Sequence, residues 1–358
     1  MKKVLLISVA ATLICSLSFA KIRRAGYAGI QLSGVDFSSL QPAIDSSAAG
    51  DTIQIYGSHN GTVNKKLVII GFGYNLDVHP TLQAIGTNNP SYVGLSLFAG
   101  SNGTIVTGVS GTFSIQEPSG QHLTISDITF QRCFGSFSCQ NYSQYGLISN
   151  IKILSSVITD GGMAAQGDAD YVVNNLQVFN SIIYNFNLYK SGTTASFINC
   201  TAPSPDIVGQ YSIGLNNASV LVKNCIIPGA GTTTNINTVY ENNFFAEAQP
   251  TQLPAGSNNR WGQSWAAIFS GPTNTMSHWS YPDFNENYYV LKAGSPAING
   301  GINGAGQPTN AGIYGGEAIY VYRPGGIPAI PSFYKITAPA LSATANPYNV
   351  TISVRSNN

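Results

Sequence analysis

The chain has 358 residues, of which 9% are charged, with 16 Lys and Arg against 15 Asp and Glu. Ordinary globular proteins carry about 25% charged residues. So sparse and balanced a set excludes partners held by charge, such as nucleic acid or an anionic membrane, and leaves solubility to Asn, Ser, Thr, Gln and Gly, a surface suited to neutral, hydroxyl-rich partners.

Residues 1–20 read "MKKVLLISVAATLICSLSFA". Lys2 and Lys3 give a basic start, residues 4–17 an apolar middle, and Ser18-Phe19-Ala20 a small-x-small cleavage site. This is the pattern of a secretory signal, cut after Ala20. Its apolar stretch is too short to span a bilayer. A lipoprotein anchor at Cys15 is disfavoured by the bulky Ile14. The expected address is therefore secreted, cell-surface or periplasmic in a bacterium. No later segment is apolar enough to cross a membrane.

Residues 37–47, "FSSLQPAIDSS", place Phe37, Leu40 and Ile44 on one helical face, with Pro42 tolerable in the first turn. Two short apolar runs follow, TIQIY and KLVIIG, neither long enough to stand alone. Further on one pattern returns: paired alternating apolar residues, a polar pair, then alternating apolar residues again. The copies are "LTISDITF", "IKILSSVI", "LQVFNSII", "ASFINCTA", "VLVKNCII" and "TVYENNFF". Their fifth residues are Asp127, Ser155, Asn180, Asn199, Asn224 and Asn242. A period of roughly 20 to 30 residues signals a solenoid. Period-two alternation means strand, and the mid-pattern polar pair means a bend. Coils of this kind hydrogen-bond to their neighbours through the backbone, so the expected fold is all-β, a parallel β-helix with the helix as its N-terminal cap. Asn, Ser and Asp suit the bend, and stacked Asn side chains can bond each other as a ladder.

Four cysteines remain beyond the signal: Cys133, Cys139, Cys200 and Cys225. Their spacing matches no zinc motif, and they are too few for a disulfide scaffold. Cys200 and Cys225 fall at equivalent interior positions of neighbouring coils, as a thiol stack or a disulfide. Residues 255–282 carry Trp261, Trp265 and Trp279 with His278, an expected loop excursion with a small aromatic core. The tail from Gly325 is Pro-rich and then alternates in "YNVTISVRSNN", an expected hairpin or edge strand that covers the final coil or reaches along the side. The domains read as 1–20 signal, 21–316 β-helix with its cap, and 317–358 C-terminal β tail.

The runs "SLQPAID", "AAGDTIQIYGS" and "NKKLVIIGFG", with "YYVLKAGSPAINGG" and "NAGIYGG" near the other end, resemble secreted proteins of the pectin-lyase-like right-handed parallel β-helix family. The likeness covers roughly residues 37–316. It implies a right-handed β-helix whose last coils are residues 288–316. That fold hosts lyases, hydrolases, adhesins and binding proteins, so it does not choose an activity.

The lyase run Arg-x-Pro-x-x-Arg is absent, as are the Asn-Thr-Asp, Asp-Asp and Gly-His-Gly runs of the family's hydrolases. Residues 123–245 hold only Arg132, Lys152, Lys190 and Lys223 as fixed cations, and Arg132 lies near Asp127 as a surface pair. The densest acid cluster is Asp160, Asp168 and Asp170, a candidate for catalysis or a calcium ion. No other cofactor or metal is read. His59, His79, His122 and His278 share no spacing and read as turn or surface residues. Tyr142, Tyr145, Tyr171, Tyr184 and Tyr189 fall in or beside coil links near amides, where aromatic faces could stack on sugar rings. The leading expectation is a glycan-binding protein without catalysis. A polysaccharide lyase or glycoside hydrolase is the alternative, and a structural envelope or adhesin component the third.

Overall fold

The computed structural model describes residues 20–26, 36–79, 81–82, 91–117, 123–141, 147–163, 173–184, 186–188, 192–202, 214–215, 219–228, 238–249, 257–272, 284–316, 321–338 and 350–356. Strands dominate, and they form two large parallel sheets. The first runs from Ile22–Ala25 through Thr52–Ile55, Val68–Ile70, Ile105–Thr107, Thr129–Gln131, Leu147–Leu154, Val173–Phe179, Thr194–Ile198 and Ser219–Lys223 to Thr238–Glu241. The second runs Gly57–Val63, Ser91–Leu97, Ser110–Glu117, Phe134–Asn141, Val157–Met163, Phe186–Leu188 and Gly214–Leu215. Strand order follows sequence order in both sheets, and the chain alternates between them.

Register explains the apolar alternation. Ile53, Ile69, Val106, Phe130, Ile153, Val178, Phe197, Val222 and Tyr240 stand opposite one another up the first sheet. All are buried. One residue per strand thus stacks at the strand spacing of about 4.8 Å, and the core is continuous along the stack. The helix Leu40–Ser46 lies against the edge strand of the second sheet. Gly61 makes room for it: a Cβ there would stand 2.8 Å from Ile44 and 2.9 Å from Leu40.

The turn between the sheets is held by a column of residues with positive φ: Arg132, Ser155, Asn180, Asn199, Asn224 and Asn242. Each backbone N–H donates to a carbonyl on the following coil. Asn reaches this left-handed conformation at lower cost than most residues. Asp127 does not share the column. It begins a second one with Asn150 and Asn175, also at positive φ. Here the side chains do bond each other: Asn150 Nδ2 donates to Asp127 Oδ1 at 3.0 Å and Asn175 Nδ2 to Asn150 Oδ1 at 2.9 Å. There are two columns of bends, and matching polar pairs by spacing placed "LTISDITF" on the wrong one. Arg132 occupies the position expected for Asp127, and its Nη1 donates to the Ile327 carbonyl at 2.7 Å.

In the main column the Asn side chains do not bond each other. Asn180 and Asn224 instead grip a strap, residues 284–316 and 321–330, that runs back along the first sheet. Asn224 exchanges two hydrogen bonds with the Ile302 backbone. Asn180 donates to the carbonyls of Ile313 and Gly315. Ser155 reaches Val321, and Tyr74 N–H donates to the Gly325 carbonyl. Residues 288–316, expected as closing coils, therefore extend neither parallel sheet. Their described strands, Gly301–Ile302 and Pro308–Thr309, pair antiparallel with each other.

The tail forms a hairpin, placed along the side. Ser332–Thr337 and Thr351–Arg355 form an antiparallel hairpin. It sits beside the early coils, with Arg355 donating to the carbonyls of Thr81 and Leu82, rather than over the final coil. Trp261 stacks on Phe245 with ring centroids 3.9 Å apart and packs on the main core. Trp265 belongs to a separate cluster under the strap with Phe269. The two do not form one aromatic core, and Trp279 lies outside the described residues.

One interior column carries polar atoms. Cys133 N–H donates to Ser156 Oγ, Ser156 N–H to Ser181 Oγ, Cys200 N–H to Cys225 Sγ, and Cys225 N–H to Asn243 Oδ1. Each small polar side chain satisfies the coil before it, as buried backbone donors require. All four cysteines are free thiols. Burial pushes the Cys133 thiol up to about 12 and raises that of Cys200 well above its ordinary value.

Candidate functional site

The outer face of the second sheet is built by alternation. Ser58, Asn60 and Thr62 point outward from its edge strand, while His59, Gly61 and Val63 are buried. Register then aligns Asn60, Gly94, Thr112, Ser136 and Asp160 in one row, and Thr62, Ser96, Ser114 and Ser138 in the next. Tyr92, 43% exposed, stands opposite Ser58 and Ser110 at the margin. Over the first three strands the face opens into a groove lined by Gln41, Asn60, Thr62, Gly94, Ser96, Thr112 and Ser114. Its volume is about 320 Å³. Gly94 makes the dent: a Cβ there would lie 2.3 Å from Asn60 Oδ1.

The lining is held in place by its own hydrogen bonds. Gln41, from the helix, accepts from Thr62 N–H at 2.7 Å and so covers the open sheet edge. Ser114 Oγ donates to Ser96 Oγ at 3.2 Å, and Gln116 Nε2 to Ser114 Oγ at 2.9 Å. Hydroxyls and amides both donate and accept, so the rows match the hydroxyl groups of an uncharged ligand. None of the groove's lining side chains titrates, and general acid–base chemistry has no agent among them.

No family model, curated protein or solved structure matches the chain.

Of the acidic candidates, Asp160 stands exposed at the end of the Asn60 row, next to Ser136. Asp168 and Asp170 lie outside the described residues. Among the described residues no group of three His, Cys, Asp or Glu stands where it could hold a metal ion. Tyr142, Tyr145, Tyr171 and Tyr189 also lie outside the described residues. Tyr184 is not presented to a ligand. Its hydroxyl bonds that of Tyr289 at 2.8 Å, and its ring meets Phe284 edge-on under the strap. Burial first, then Tyr289 and Glu286, push its pKa well above the ordinary value. Tyr92 is the exposed aromatic beside the groove. The outward place of Ser, Asn and Thr in "GSHNGTV" and "SYVGLSL" was the signal for this face.

A second cluster lies inside. Glu286 is fully buried where the strap meets the loop at Tyr74. Tyr322 donates its hydroxyl to Glu286 Oε1. Gly325 N–H stands 3.1 and 3.0 Å from the two carboxylate oxygens, His79 Nε2 2.7 Å and Asn75 Nδ2 3.4 Å from Oε2. Burial and the Glu286 charge raise the phenols of Tyr322 and Tyr314. With both oxygens engaged by the chain itself, the cluster fastens the strap. His79 lies at a turn, its backbone N–H donating to the Leu76 carbonyl, and is also a fastening partner. His59 is a buried strand residue bonded to the Tyr56 carbonyl, not the turn or surface residue expected. His122 and His278 lie outside the described residues.

Proposed function

We propose that this chain is an exported right-handed parallel β-helix of the pectin-lyase-like kind that binds neutral polysaccharide through the outer face of its second sheet, without cutting it. Sequence-ordered parallel strands alternating between two sheets support the β-helix, and parallel crossovers are right-handed in nearly all proteins. The observation that carries the binding reading is the pair of uncharged rows, from Asn60 to Ser136 and from Thr62 to Ser138. Tyr92 at their margin offers a ring for the apolar side of a sugar. The test is retardation in gels containing neutral polysaccharides. Asn60→Ala with Thr112→Val should abolish retardation at an unchanged unfolding temperature. Retardation that survives both changes would place the ligand elsewhere.

A cutting reading has one observation in its favour, the exposed Asp160 at the end of the same row. It calls for a second carboxylate nearby, which Asp168 or Asp170 would have to supply. Under that reading Asp160→Asn stops polymer shortening. Under the binding reading no polymer is shortened by either protein.

A further inference from the structure

The C-terminal hairpin has two unlike faces. Its register sets Phe333 opposite Val354 and Ile336 opposite Ile352. Residues directly opposite share a face, and the register shift between Phe333 and Lys335 lets residues three apart do so as well. The other face carries Ser332, Lys335, Thr337, Thr351, Ser353 and Arg355. One end of that polar side holds the hairpin to the body: Arg355 and Ser332 reach the Thr81 and Leu82 carbonyls, while Lys335, Thr337 and Thr351 are exposed. The apolar side takes no part in that attachment and is exposed. Phe333 is 54% exposed, Ile336 59%, Ile352 54% and Val354 51%, with Val350 beside them at 48%.

A two-stranded hairpin is marginal in water and needs further strands or a second layer over its apolar face. Exposed apolar patches of this kind mark contact sites. We infer that the layer is the same hairpin of a second copy, packed face to face about a two-fold axis. The surface is self-complementary in chemistry, as a two-fold contact requires. It bears no charged side chain, and Lys335 and Arg355 lie on the opposite face, so no like charges are brought together. The chain's formal net charge of +1 offers little repulsion. Half-exposed side chains of this number present on the order of 400 Å² per copy, or about 800 Å² for the pair, against roughly 1,200–2,000 Å² in stable interfaces. The dimer is therefore weak and reversible, with dissociation on dilution. It is independent of the glycan reading, since the hairpin lies outside that face.

The test is sedimentation velocity of the whole protein over about two decades of concentration, up to the upper micromolar range. The mass should rise toward that of a dimer. Ile336→Thr with Ile352→Thr keeps β-branched side chains while removing apolar surface, and should weaken association at least tenfold. Val354→Thr alone should weaken it less, which provides a milder variant should the double one unfold. Lys335→Gln, on the polar face, should leave it unchanged. A wild-type protein that stays monomeric at the highest concentration overturns the inference, as does a folded double variant that associates as tightly. Flotation of monomeric protein with phosphatidylcholine vesicles would replace the second copy with a lipid surface and overturn it too.

Discussion

At the scale of single residues, the left-handed column separates two roles that Asn plays at once. Asn180 tolerates φ 47° and also bonds two strap carbonyls, whereas Asn199 Oδ1 is buried without a partner. Glycine keeps the backbone geometry and removes the side chain. Asn180→Gly should therefore cost about 1–3 kcal/mol in lost hydrogen bonds, and Asn199→Gly clearly less, in urea unfolding. Equal costs would mean the strap bonds carry no stability. The thiols are a second case. Burial raises Cys133 and Cys200 far from thiolate character, and the thiolate is the reactive form. Ellman's reagent should label the folded protein negligibly at pH 8 and fully in denaturant; rapid labelling when folded would contradict the packed interior column. Polar pairs at regular intervals made this bend legible from Ser155 to Asn242. Asp127 was misplaced because the two columns of polar bends look alike when only spacing is read.

Among elements, the strap is what the sequence concealed. The parallel strands are legible because apolar alternation repeats, but the strap has no period. Its partners are distant in the chain: Tyr74 with Gly325, Asn180 with Ile313, Asn224 with Ile302. No motif or period marks Glu286 in the sequence, yet it is buried against His79, Tyr322, Asn75 and Gly325. Glu286→Ala leaves those donors without their acceptor, and breaking buried ionic networks costs roughly 3–5 kcal/mol. The loss should be local. Limited proteolysis should cut the strap at residues 284–330 first while the parallel sheets stay protected. Cleavage spread evenly over the chain would mean that strap and sheets unfold as one unit.

For the whole molecule, composition and fold converge on a surface short of charge. The parallel, in-register strands of the second sheet repeat outward residues at the strand spacing, so a few Ser, Thr and Asn positions become extended rows. The low charge already pointed to the kind of ligand proposed, neutral and hydroxylated. The place was not legible, because outward and inward residues of a strand separate only once its register is known, and the tyrosines in coil links drew attention from Tyr92. The most direct measurement is affinity electrophoresis of the whole protein against soluble neutral and uronate-bearing polysaccharides, with polymer length followed in the same samples. Expected is retardation by at least one neutral polymer, none by the uronate-bearing ones, and no change in chain length. Shortening of any polymer, or migration that no polymer alters, would contradict a neutral-glycan-binding face.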